Sequence, residues 1–161
     1  MEQIVAFAEY KEKEQLRSLF AETDMGLAGE IEDHVLLKKG DRILAGGRLV
    51  QMDESLFHLM VFAVDKAKRG TGLGKKLIDK LCQFPWAYCR EAEKLKGLEY
   101  TITTIAKGTA VPFYQNCGYQ MISFAELPEP FDLQCRECPD QKECKPMALA
   151  FYGKAGTKEV G

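Results

Sequence analysis

Hydrophobic residues follow two periods along this chain, and the changes from one to the other mark out its elements. A nearly unbroken apolar run from Leu56 to Val64 predicts a buried strand. After a glycine-rich loop, Leu73, Leu77, Ile78 and Leu81 recur at helical spacing, and Pro85 should kink or stop that helix. Leu16, Leu19 and Phe20 show the same spacing over residues 11–22, which predicts an amphipathic helix behind a first strand at residues 4–8. Residues 23–30 hold two glycines and little periodicity, as a loop or short second helix would. Strands at 34–38 and 43–51 flank the turn Lys39-Gly40-Asp41, and a turn at Asp53-Glu54 leads into the apolar run. Residues 86–96 look helical again, 100–105 are rich in β-branched residues, and short strands at 120–124 and 147–152 close the pattern. The tail from 153 to 161 has little to bury and is expected to be disordered. Neither an internal repeat nor a second domain is visible, so residues 1–152 read as one domain.

A chain of 161 residues is long enough for one full hydrophobic core. Charged residues make up 29% and the net charge is -2, so no basic surface points to nucleic acid. The apolar runs are far too short for a membrane span, and the first residues lack a charged-then-apolar signal segment. A cytoplasmic location follows as the expectation. In that reducing setting the six cysteines suggest thiols or metal ligands more than disulfides.

The junction between the apolar strand and the following helix carries the chemistry. Gly70, Gly72 and Gly74 put three glycines in five residues, flanked by Arg69 and Lys75. Glycines there let backbone N–H groups approach an anion at a helix N-terminus. A nucleotide P-loop needs four residues between Gly and Gly-Lys and a following Ser or Thr, whereas Gly70 and Gly74 have three residues between them and Lys76 stands in the hydroxyl position. A dinucleotide fingerprint needs G-x-G-x-x-G, and these residues spell G-x-G-x-G. The pattern Arg69-x-x-Gly72-x-Gly74 instead resembles the coenzyme A pyrophosphate loop of the GNAT family of N-acetyltransferases. Ala110-x-x-Phe113-Tyr114-x-x-x-Gly118-Tyr119 is similar to that family's second hallmark, a short helix in the expected place downstream. Pro112 suits a first helical turn there, and Gly118 a left-handed cap.

The resemblance implies an α/β (α+β) GNAT fold: a mixed, mostly antiparallel central sheet splayed between its fourth and fifth strands and flanked by helices. It implies acetyl-CoA as cosubstrate, lying in the splay. Carried over, Phe62 and Val64 would contact the pantetheine arm and acetyl group, mainly through their backbones. Arg69, Gly70, Gly72, Gly74 and Lys75 would surround the pyrophosphate. Tyr114 stands where the family carries a tyrosine thought to protonate the departing thiolate, and a phenol pKa of about 10 keeps it protonated. His58, six residues before Val64, occupies a position where some members place a general base. Strand alternation would put it on the face of Met60, Phe62 and Val64, and imidazole titrates near neutrality. Glu54 is a weaker alternative, and His34 has no positional support. The acceptor is expected between the first helical connection and the loop joining the last two strands. Acids in residues 23–32 would favour a cationic amine, and Arg48 a carboxylate. A small-molecule primary amine follows, an amino acid as in the N-acetylglutamate synthase-like branch being preferred. A homodimer is compatible with this reading.

Cys135-x-x-Cys138 with Cys144 departs from the family pattern, as an insert at about 131–146 beside the acceptor entrance. Three thiolates there could hold zinc with Cys117, His34 or water as a fourth ligand, or an iron–sulfur cluster. Free thiols, a disulfide and an ordered loop without metal are the alternatives. These cysteines also support the competing function, a non-catalytic acyl-CoA or redox sensor on the same fold. Cys82 and Cys89 read as helix core positions.

Overall fold

The computed structural model describes residues 2–23, 25–68, 70–90, 92, 99–133 and 145–154. The strands are β1 Gln3–Phe7, β2 Val35–Lys39, β3 Arg42–Asp53, β4 Leu56–Val64, β5 Glu99–Ala106, β6 Gln120–Ile122 and β7 Met147–Lys154. They form one sheet in the order β1-β2-β3-β4-β5-β7-β6. Every pairing is antiparallel except that of β4 with β5. This is the mixed sheet expected from the sequence.

Helices cover both faces. Leu16, Leu19 and Phe20 of α1 (Lys13–Ala21) pack on Leu36, Val61 and Ala63 on one side. Leu77, Ile78 and Leu81 of α2 (Leu73–Gln83) pack on Leu37, Leu59 and Phe62 on the other, joined by Tyr114 from α3 (Val111–Asn116). The apolar stripes at period 3.6 therefore meet the alternate faces of strands at period 2. A smaller cluster joins Leu127 and Phe131, which follow β6, to Ala148 of β7. No helix among the described residues is long and apolar enough to cross a membrane.

Two local expectations change. The helix expected over residues 86–96 is, as far as residue 90, one 3-10 turn at Pro85–Ala87 followed by non-helical backbone. Trp86 there packs edge-on against Phe84 and Tyr100, which draws the chain into the core instead of along a helix axis. Cys89 is consequently buried but not helical, while Cys82 is a core residue of α2. β6, expected to reach residue 124, stops at Ile122, because Ser123 caps a 3-10 turn over Phe124–Glu126 and Glu126 closes the reciprocal capping box.

Candidate active site

β4 and β5 pair only from Leu56↔Thr101 to Leu59↔Thr104. From Met60 onward β4 leaves its parallel partner, so one edge of its backbone faces open space. The departure coincides with a bulge: Val61 pairs with Arg48 and Leu59 with Leu49, which leaves Met60 as an extra residue. The gap opens into a cleft of about 740 Å³, lined among others by Phe62, Val64, Gly72, Lys107 and Tyr114. The side chains of Phe62 and Val64 belong to the core under α2 and α3, so their contribution to the cleft is chiefly backbone.

The glycine loop borders this cleft. Gly70 and Gly72 have φ of +82° and +84°, a left-handed backbone that disfavours side chains, and among the described residues nothing beyond their chain neighbours lies within 4 Å of where a Cβ would project. The first helical hydrogen bond of α2 runs from Lys76 N–H to the Gly72 carbonyl at 3.0 Å. The N–H groups of Leu73, Gly74 and Lys75 therefore have no acceptor within the helix and face its N-terminal end. Gly74 has a different duty. A Cβ there would sit 2.8 Å from Val64 Cγ2 and 3.1 Å from Phe113 Cε1, so its bare backbone lets α2 pack against β4 and α3. Lys75 bonds Asp79 one turn on at 2.9 Å, which raises its pKa. Arg69 lies outside the described residues.

Tyr114 is buried to 7% exposure, edge-on to Phe113 and Tyr119, yet it lines the cleft. Its hydroxyl makes no hydrogen bond to another described residue. Burial pushes its pKa up from 10.0, so the phenol stays protonated across the working range. Gly118 closes α3 at φ +96°, the left-handed cap its position suggested.

His58 departs from expectation. The bulge at Met60 interrupts strand alternation, so Phe62 and Val64 face α2 while His58 faces the opposite side. It is 2% exposed, stacked on Phe131 with ring centroids 3.8 Å apart and planes at 8°. Its Nδ1 lies 2.8 Å from Thr103 Oγ1 on the neighbouring strand. It is not among the residues lining the cleft. Burial lowers its pKa from 6.5 to about 4, so in this arrangement it does not titrate near neutrality. Acid stability should report this. Below pH 6.5 the unfolded chain protonates His58 while the folded chain does not, so stability falls as pH drops toward 4. The loss should total about 3 kcal/mol, at 1.36 kcal/mol per pH unit. Urea unfolding at pH 7 and pH 4.5 should show a smaller acid penalty in His58→Gln than in the natural chain. An equal penalty would mean that His58 is not buried neutral.

The match to the acetyltransferase (GNAT) domain model covers residues 30–121, more than half of the chain, and spans the bulged strand, the glycine loop and the Tyr114 helix. The chain belongs to the GNAT acetyltransferases. No curated protein sequence matches it. Solved structures share the fold at low identity. N-acetylglutamate synthase from Neisseria gonorrhoeae, complexed with coenzyme A and N-acetyl-glutamate, superposes with a TM-score of 0.71 at 13% identity over 94% of this chain. The present chain covers 35% of that protein, about a third of its length. A GNAT-family acetyltransferase from Staphylococcus aureus gives 0.64 at 17% identity, over 96% of this chain and 100% of its own. The ribosomal-protein-S18-alanine N-acetyltransferase from Escherichia coli gives 0.62 at 13% identity, covering 97% of each.

In this GNAT domain the connection after α1 forms one wall of the cleft, through Thr23 and Met25. Lys107, at the end of β5, donates to the Thr23 carbonyl at 3.0 Å and ties that wall to the far side. The same connection is clamped at Ala28, whose N–H donates to His34 Nε2 at 3.0 Å and whose carbonyl accepts from Arg48. Arg48 also pairs with Asp33 at 3.6 Å, so its charge is directed to the connection rather than into the cleft, which it does not line. His34 Nδ1 donates to the Glu30 carbonyl at 2.9 Å. Both ring nitrogens are thus engaged with backbone, and His34 cannot serve as a fourth metal ligand without breaking this clamp. Among the described residues no group of three or more His, Cys, Asp or Glu could hold a metal ion. Cys135, Cys138 and Cys144 lie outside the described residues. Cys117 lines the cleft beside Tyr114 as a buried thiol whose pKa burial raises to about 11, so it stays unionised. Sequence reasoning missed Thr103, Phe131 and Lys107. Only strand register and loop packing bring them here, and no local motif announces either.

Proposed function

We propose that residues 1–152 form one catalytic domain that moves acetyl from acetyl-CoA to a primary amine of a small molecule. The observation that carries this reading is the convergence of the glycine loop, the free edge of β4 and Tyr114 on one cleft. The pyrophosphate would sit against the N–H groups at the start of α2, with Gly70 and Gly72 leaving room and Arg69 and Lys75 adding charge. The backbone edge of Phe62 and Val64 would hold the pantetheine and orient the thioester. The neutral amine then attacks the carbonyl carbon, the C–S bond breaks, and acetyl ends on nitrogen. The amine proton passes to a base and the thiolate gains a proton from, or a hydrogen bond with, Tyr114.

His58 is the proposed base, from its place on β4 six residues before Val64; since it does not line the cleft in this arrangement, that role requires the imidazole to become accessible to the amine. An amino acid is the preferred acceptor, by analogy with the synthase that binds N-acetyl-glutamate on the same fold. The engagement of Arg48 with Asp33 and Ala28 means that another group would have to bind its carboxylate. Turnover of acetyl-CoA against a panel of amino acids, polyamines, aromatic amines and short peptides tests the reading. Acetylation of a small amine should appear, with the free thiol of coenzyme A released one for one. Tight acetyl-CoA binding without turnover across the panel would overturn catalysis and leave a binding module.

A further inference from the structure

β4 and β5 run parallel where they pair, and His58 is directly partnered with Thr103 in that register. Both side chains are 2% exposed, and they meet at 2.8 Å between Nδ1 and Oγ1. The Thr103 hydroxyl also points to the Phe57 carbonyl, donating at 3.4 Å. A hydroxyl has one proton to give and lone pairs to receive with. If that proton goes to Phe57, the imidazole must supply the proton of the shorter bond. We propose that Thr103 is a positioning residue for His58: it accepts the Nδ1 proton, holds the ring in the Nδ1–H tautomer, and leaves the Nε2 lone pair to take a proton from the acceptor amine. This rests on His58 being the base.

The surroundings agree with such a role. Phe131 stacks on one ring face and fixes its plane, and Nε2 has no hydrogen-bond partner among the described residues. From β3, Val50 lies opposite His58, and Arg48 two residues along turns to Asp33. From the 3-10 turn Phe131–Leu133, Asp132 follows the stacked ring. From β5 come the uncharged Thr103 and Ile105. Burial alone accounts for the lowered pKa, so none of these charges compensates a protonated ring. The tautomer is therefore set by a neutral hydrogen bond, and Thr103 is the side chain that makes it.

Nitrogen-15 spectroscopy of the full-length chain tests this directly, since it holds only two histidines and His58→Gln assigns the second. At pH 7 the natural chain should show His58 protonated on Nδ1. Thr103→Val, which keeps the shape and removes the hydroxyl, should move the proton toward Nε2 and lower kcat by about tenfold, the weight of one neutral hydrogen bond. KM for acetyl-CoA should not change, and Thr103→Ser should restore both tautomer and rate. A natural chain protonated on Nε2 overturns the proposal, even if Thr103→Val fails to fold. So does a folded Thr103→Val with unaltered tautomer and turnover. His58→Gln separates the two readings. Full turnover in that variant removes the base, and Thr103 with it, whereas lost turnover in His58→Gln beside normal turnover in Thr103→Val overturns the positioning role alone.

Discussion

Gly72→Val should abolish acetyl-CoA binding, with affinity at least about a hundredfold weaker by calorimetry while the chain still folds. The backbone at Gly72 has φ +84°, where a β-branched residue is strongly disfavoured. Among the described residues nothing beyond its chain neighbours lies within 4 Å of the new Cβ, so the substitution disturbs little of the core. Its two effects fall on the ligand. The loop must leave the left-handed conformation that aims the N–H groups of α2, and the branched side chain enters the space through which a pyrophosphate would approach. Gly74→Ala makes the contrast, because its Cβ meets Val64 and Phe113 at 2.8–3.1 Å and should lower thermal stability first. Equal acetyl-CoA affinity in a folded Gly72→Val protein would show that this loop does not hold the cosubstrate.

Tyr114→Phe should lower kcat by roughly a hundredfold while leaving acetyl-CoA affinity nearly unchanged, the low end of what loss of a general acid costs. The ring is wedged between Phe113, Phe62 and Tyr119, and phenylalanine preserves those contacts. Its hydroxyl makes no bond to another described residue, so removing it leaves no buried partner unsatisfied and gives little reason for a folding defect. The raised pKa sharpens the expectation. A phenol held above its ordinary value is protonated at every working pH, so Tyr114 should add no limb of its own to the pH–rate profile. It is also a reluctant acid, and its contribution should come largely as a hydrogen bond to sulfur while charge develops there. A profile unchanged in shape but lowered throughout in Tyr114→Phe is the expected result. Unchanged kcat would return Tyr114 to helix packing.

Much of the fold is visible in the primary structure because the strongest signals are local. Period 3.6 over residues 73–81 and the unbroken apolar run of β4 each point to one kind of element, and the glycines between them need a turn that few other residues can make. The helix holding Phe113 and Tyr114 carries its own start and stop in Pro112 and Gly118. Where competing local signals meet, the reading weakens. Residues 86–90 have helical composition, but Trp86 finds a better partner in Tyr100, far along the chain.

The chain by itself determined the order of its strands and helices along the sequence, the glycine loop and the helix that carries Tyr114, since each depends on residues adjacent in sequence. Only the tertiary structure decided the surroundings of His58. Alternation is a rule about one strand, but the extra residue at Met60 exists only relative to β3, and it turns Phe62 and Val64 to the face opposite the imidazole. Phe131 and Thr103 reach that ring from 73 and 45 residues away. Their burial sets its pKa, and no spacing motif can register a contact that loop packing and strand pairing create.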